Sequence, residues 1–161
     1  HSGRTEFFKD TDGDDKADER KVWCGGWSMR DTHATVSHLR YGFDNWIWGT
    51  VGYSGFEGTV GGEDIRFGQG IFRFKPDGSK LEFIRSSNNN TWGLGLTEDN
   101  IIIGSTANGN ASMYMPIPNR YYERVNGWSA ARLESIASSQ NFYCYFNLRA
   151  VFTEIILEIR K

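Results

Sequence analysis

An all-β fold of antiparallel sheets is predicted by three observations. Short runs of aromatic and β-branched residues alternate with Gly, Asn and Asp, in a chain carrying 6 Trp, 7 Tyr, 11 Phe and 19 Gly, and such punctuation favours strands and tight turns over helices. A strand–turn–strand phrase recurs: FDNWIWGT at Phe43 to Thr50 is matched by EDNIIIGS at Glu98 to Ser105, an offset of 55 residues for Asp44 to Asp99 and for Gly49 to Gly104. Finally, Pro76-Asp77-Gly78 stands between two apolar runs, where it has a turn mechanism. A repeated unit of this kind points to a blade-like or solenoid architecture.

Taken in order, Trp23 to Arg30 reads as a strand and its exit. Val36 to Tyr41 and Trp46 to Val51 are predicted strands joined by a turn at Phe43-Asp44-Asn45. Gly52 to Gly70 reads as one long connection, a length at which loops are usually functional or disordered. Ile71 to Phe74 and Leu81 to Ile84 form a predicted hairpin around Pro76-Asp77-Gly78. The polar run Ser86 to Thr91 precedes the strands Trp92 to Leu96 and Ile101 to Ser105, with a turn at Glu98-Asp99-Asn100. In Met113 to Tyr122 the two prolines exclude a central strand. Leu133, Ile136 and Ala137 fall on one side of a short helix expected near residues 128–137. Gln140 to Lys161 is bulky and apolar without Gly or Pro, and its partial alternation fits a long strand or a helix.

At 161 residues the chain can build one domain with a sizeable core. A net charge of −2 lacks the footprint of a nucleic-acid binder. No apolar run reaches the roughly 18 residues a membrane span needs, and no membrane-spanning segment is expected. Cys24 and Cys144 form no CxxC or CxxCH pattern, so no zinc, redox or haem motif is legible. A single disulfide between them is left open. GxSxG, Walker A and HExxH motifs do not occur. Opening on His1, the chain is expected to be a processed protein or an excised fragment.

The densest chemistry is DTDGDDKAD. Asp10, Asp12, Asp14 and Asp18 occupy loop positions one, three, five and nine. Calcium takes six to eight oxygens, and alternating carboxylates on a tight loop supply them. The loop departs from an EF-hand, with Asp15 at position six and Lys21 at position twelve. A calcium site is the expectation, with a solvated acidic turn as the alternative.

Four phrases carry a family resemblance: DTDGDDKADERKV, DTHATVSHLRYGFDNWIWGTVGYSGF, SSNNNTWGLGLTEDNIIIGSTANGN and MPIPNRYYERV. Together they resemble the pyrroloquinoline-quinone (PQQ)-dependent sugar dehydrogenase-like β-propellers, and more closely the "membrane-bound dehydrogenase domain" proteins of planctomycete-type bacteria. The acidic loop is similar to the DxDGDGxxD calcium loops of integrin-type propeller repeats. The resemblance covers about residues 4–137 and implies two to three blades of a partial propeller over residues 1–137, with 138–161 a divergent or truncated tail. The remaining blades belong to the parent chain, and a periplasmic or extracellular location is expected.

In the sugar dehydrogenases a histidine in a pattern like H-x(4)-L-x-x-G-x-D is the general base. His33, followed by Leu39, Gly42 and Asp44, resembles that position with one residue inserted, and histidine suits proton transfer near neutral pH. The family's R-N-x-x-G-L motif touches the quinone, and Asn89 and Asn90 open the matching phrase NNTWGL. Asn89 stands in the arginine's place and cannot supply its cationic clamp. His33 and Asn88 hold equivalent positions in successive repeats, which places both near one face of a propeller. The resemblance therefore implies a quinone-dependent sugar dehydrogenase-like fragment, active if at all in the full-length parent. Two alternatives stand beside it: a calcium-stabilised propeller that binds glycans or proteins without turnover, and a purely structural piece.

Overall fold

The computed structural model describes residues 3–115, 117–127 and 134–136. Its strands are antiparallel throughout: β1 (Arg4–Lys9), β2 (Glu19–Gly25), β3 (Val36–Tyr41), β4 (Ile47–Val51), β5 (Phe56–Val60), β6 (Glu63–Phe67), β7 (Gly70–Phe74), β8 (Leu81–Ser86), β9 (Thr91–Leu96), β10 (Ile102–Thr106), β11 (Met113–Met115) and β12 (Glu134–Ser135). Two four-stranded sheets dominate, ordered β3-β4-β7-β8 and β12-β11-β10-β9. Two hairpins, β1-β2 and β5-β6, complete the strand set among the described residues, and an isolated bridge between Trp27 and Phe56 joins them.

The 55-residue repeat is present atom by atom at its turn. The Gly42 N–H donates to the Trp46 carbonyl at 2.8 Å and the Asn45 N–H to the Gly42 carbonyl at 3.3 Å. At the equivalent places, Thr97 N–H reaches the Ile101 carbonyl at 3.2 Å and Asn100 N–H the Thr97 carbonyl at 2.9 Å. Asn45 and Asn100 close these turns in the left-handed region, at φ 60 and 59, which Asn tolerates better than most residues. Each leading strand also carries a register shift against its partner, in β3 between Ser37 and Arg40 and opposite Ser105/Thr106 in β9. Both are β-bulges, which bend a strand and re-aim its side chains.

Three layers follow from side-chain alternation. One face of the first sheet sends Trp48, Ile71 and Ile84 against Leu94, Ile102, Met113 and Met115 of the second sheet. Its other face sends Ile47, Val51, Phe72, Phe74 and Leu81 against Cys24, Trp27, Phe56 and Val60 of the two hairpins. Phe72 is fully buried and lies 4.5 Å from the Trp27 ring, centroid to centroid. Burying one such ring stabilises the fold by about 2–3 kcal/mol before packing is counted.

Two expectations are corrected by this architecture. Gly52 to Gly70 is not one irregular connection: it contains the β5-β6 hairpin, paired from Phe56↔Phe67 to Val60↔Glu63. Gly61 and Gly62, at φ 61 and 85, supply the two positive-φ positions of its tight turn. Among the described residues the single short helix, α1, lies at Asn119–Tyr122 rather than near 128–137, where Glu134 and Ser135 instead pair with Tyr114 and Met113 as an edge strand. The remainder of the predicted 128–137 helix, the boundary at 137/138, the 138–161 tail and Cys144 lie outside the described residues. Cys24 is buried on β2, and that burial pushes its thiol pKa up.

Candidate functional site

The β3-β4 hairpin carries the Phe43-Asp44-Asn45 turn at one end and the approach from His33 at the other. At the His33 end the chain enters β3 through a single 3₁₀ turn, Thr32–Ala34, capped by Asp31. Asp31 Oδ1 accepts the His33 backbone N–H at 2.9 Å, a capping arrangement typical of a short acidic side chain. The same oxygen lies 3.5 Å from His33 Nδ1, and the His33 side chain is 90% exposed. The Tyr53 hydroxyl donates to Asp31 Oδ2. Ser54 closes the group: its hydroxyl donates to the Asp31 carbonyl at 2.8 Å, and its backbone N–H to the Ala34 carbonyl at 3.1 Å. The Tyr53 hydroxyl and the His33 N–H hold the Asp31 carboxyl below the usual carboxylate range. Asp31 in turn raises the Tyr53 phenol. The result is an imidazole on a capped turn, Nδ1 toward a carboxylate and most of the ring in solvent.

The second repeat meets this turn directly. The Asn90 amide nitrogen donates to the His33 carbonyl at 3.2 Å, so the face shared by His33 and the 88–90 run is a bonded contact. Asn90 is buried, and its carbonyl accepts from Ala107 N–H at 2.8 Å. Asn89 turns back on its own chain, its Oδ1 accepting the Asn90 N–H at 2.7 Å. Asn88 is bound by the Asn110 amide at 2.9 Å. Of the two amides expected at a quinone, Asn90 is buried with its nitrogen on the His33 carbonyl, and half-buried Asn89 uses its Oδ1 on the Asn90 N–H.

Tyr53, Ser54 and Gly52 carried no functional signal in the sequence. Gly52 matters because a Cβ there would collide with Asn90 Oδ1 and stand 2.7 Å from the Ala34 carbonyl. The available hint was position: all three directly follow a strand of the repeated unit. His38 sits in the β3 bulge at φ 56. Burial and the neighbouring Arg40 lower its pKa, against a hydrogen bond to the Trp92 backbone.

The acidic loop joins β1 to β2 and is closed by Asp18 N–H donating to the Lys9 carbonyl at 3.0 Å. Asp10 accepts backbone N–H groups from Asp12, Gly13 and Asp15 at 3.1, 2.7 and 2.9 Å, and the Gly13 bond above all lowers its pKa. Asp18 accepts the Thr11 hydroxyl and N–H at 2.6 and 2.8 Å, which lower its pKa likewise. Carboxylate oxygens of Asp10, Asp12 and Asp18 lie within 4.8 Å of one another, all exposed. Asp14 is drawn to Lys16 at 3.3 Å instead. The donor set is all oxygen, the chemistry of a hard cation such as calcium.

At the opposite end, the turn residue Asp44 accepts the Trp48 indole N–H at 2.9 Å and pairs with Arg73 at 2.7 Å. Arg73 also pairs with Glu82 at 2.6 Å and lies over the Trp46 ring at 4.4 Å. Beside this network a cleft of about 310 Å³ opens between the two sheets, lined by Trp48, Asn100, Met115 and Arg120 among others. No helix among the described residues is long and apolar enough to cross a membrane.

A family model described as a domain of unknown function, DUF7133, matches residues 2–155, and the chain belongs to that family. Neither the curated proteins nor the solved structures give a match.

Proposed function

We propose that this member of the DUF7133 family is part of a β-propeller of the PQQ-dependent sugar dehydrogenase type, with His33 taking the proton of a sugar hydroxyl. The observation that carries the reading is the imidazole itself: exposed, fixed on a capped turn and placed 3.5 Å from the Asp31 carboxylate. A general base needs an accessible nitrogen within hydrogen-bond reach of its substrate, and a carboxylate on the other nitrogen steadies the charge it gains. The two four-stranded antiparallel sheets, each the size of a propeller blade, support the architecture. Calcium at Asp10, Asp12 and Asp18 belongs to the same proposal, as does a periplasmic or extracellular setting.

Asn90's amide nitrogen is engaged at His33 and Asn89's Oδ1 at the Asn90 N–H, and neither supplies the cationic clamp of the missing arginine. This reading assigns the charged contacts with the quinone to other parts of the complete protein. The test is dye reduction by the complete protein with a panel of aldoses, with PQQ and calcium present. Activity is expected to need both additions and to fall by about 100-fold or more in His33→Ala, the size of a lost general base. Failure of the complete protein to bind PQQ would sink the reading.

Asn89 in the place of the arginine favours a second reading, a propeller that binds glycans or proteins without turnover. Retention on immobilised glycans, with no dye reduction under the same conditions, would establish it.

A further inference from the structure

We propose that Asn90 is the positioning residue of the His33 site, a clasp from the second sheet that holds the catalytic turn of the first. The inference deepens the reading of His33 as a proton acceptor and rests on it. Its ground is a mismatch between what Asn90 costs and what it contributes to folding. The side chain is buried to 8% exposure, and its amide nitrogen donates to the His33 carbonyl at 3.2 Å. That carbonyl dictates which way the amide faces, since an oxygen there would meet another oxygen. The Oδ1 atom is consequently turned into the interior, where it has no hydrogen-bond partner among the described residues. It lies so close to Gly52 that even a Cβ on that residue would collide with it.

A buried carbonyl left without a donor costs more than one neutral hydrogen bond returns. Leucine has nearly the same shape, leaves no unpaired oxygen and suits an enclosed site better. Stability alone therefore does not call for asparagine at position 90. A donor aimed at the His33 carbonyl does, because that bond restrains the 3₁₀ turn on which the imidazole is mounted. Asp31 fastens the same turn from the other side, through the His33 N–H. Residue 33 is thus held at both its N–H and its C=O, one from its own strand entry and one from the neighbouring sheet. The remaining contacts fix Asn90 itself: its carbonyl receives Ala107 N–H at 2.8 Å, and its N–H meets Asn89 Oδ1 at 2.7 Å. Departures from local satisfaction of this kind are expected where a site, rather than the core, sets the requirement.

Asn90→Leu separates the two roles. In the 161-residue chain, the variant is expected to melt at the same temperature as wild type or higher. Its Asp31 carboxyl, followed by carbon-13 NMR against pH, is expected to titrate closer to an ordinary aspartate as the His33 cap loosens. Asn90→Ser, which is too short to reach His33, gives the same readout if leucine does not fold. In the complete protein, kcat on the sugar substrate falls by about tenfold with KM within about twofold, the signature of a displaced base. An Asp31 titration unchanged in the variants overturns the proposal, whatever the melting temperature does. Absence of sugar oxidation in the wild-type complete protein defeats the dehydrogenase reading but leaves the titration to decide the clasp.

Discussion

The two four-stranded sheets share a turn, a bulge and a glycine at the same place, yet they are buried differently. In the first, every residue of β4 from Ile47 to Val51 is buried; in the second, the equivalent β10 alternates between buried and half-buried. The difference comes from the β5-β6 hairpin, inserted between the second and third strands of the first sheet, which works with β1-β2 to cover that sheet's outer face. Among the described residues, two copies of one unit therefore serve as a middle layer and an outer layer. The turns diverge in the same way. Asp44 anchors Arg73 and Trp48, whereas Asp99 lines an open cleft. Sequence similarity fixes the hairpin; its neighbours decide what each side chain does.

The sharpest way to break this comparison is to cut the core on each side. Phe72→Ala, in the doubly covered sheet, is expected to lose about 4 kcal/mol in denaturant unfolding, against about 3 kcal/mol for Leu94→Ala in the outer sheet. Equal losses would mean the extra layer adds little. The repeat itself is tested by Asn45→Ala and Asn100→Ala, each expected to cost about 1 kcal/mol because alanine adopts the left-handed region less readily than asparagine, whose polar side chain eases it. Costs that differ by more than a factor of two would show that the turns are alike only in outline.

Calcium comes next. At about a hundred times its dissociation constant it should raise the thermal midpoint by several degrees, and Asp12→Ala should remove most of that rise. A melt indifferent to both calcium and chelator would leave the acidic loop a solvated turn. Acid gives a smaller effect. The Asp31 carboxyl is depressed from its ordinary value near 3.8, so its contribution is complete above that value and is lost as pH falls through the folded-state pKa. Asp31→Asn should flatten stability against pH below about 4, with a slight change because the group is exposed. The smallest effect on folding is expected for His33→Ala, within about 0.5 kcal/mol of wild type, since its side chain is 90% exposed. A large destabilisation there would mean the histidine is structural.

Much of the fold could be read from the sequence. The strand pairs 36–51 and 91–106, the Pro76-Asp77-Gly78 hairpin and the offset of 55 all rest on local rules, turn chemistry and apolar alternation, that neighbouring residues carry by themselves. The β5-β6 hairpin followed the same rules, with Gly61-Gly62 between FEGTV and EDIRF, but glycines and charges scattered through both strands disguised the alternation. At 134–135 the expected helix gives way to a strand, because the backbone partners that Met113 and Tyr114 offer across the sheet outweigh helix propensity there.

At the candidate site the division is cleaner. Sequence by itself determined which residues could carry chemistry, because the acidic loop, His33 and the 88–90 run each lie within a few residues of their turn signals. Only the tertiary structure decided their partners. It brought Tyr53 onto Asp31 and set the Asn90 amide on the His33 carbonyl. These outcomes depend on contacts between residues 22 and 57 positions apart. Contacts at that range are made by sheet packing, and no local pattern in the sequence encodes them.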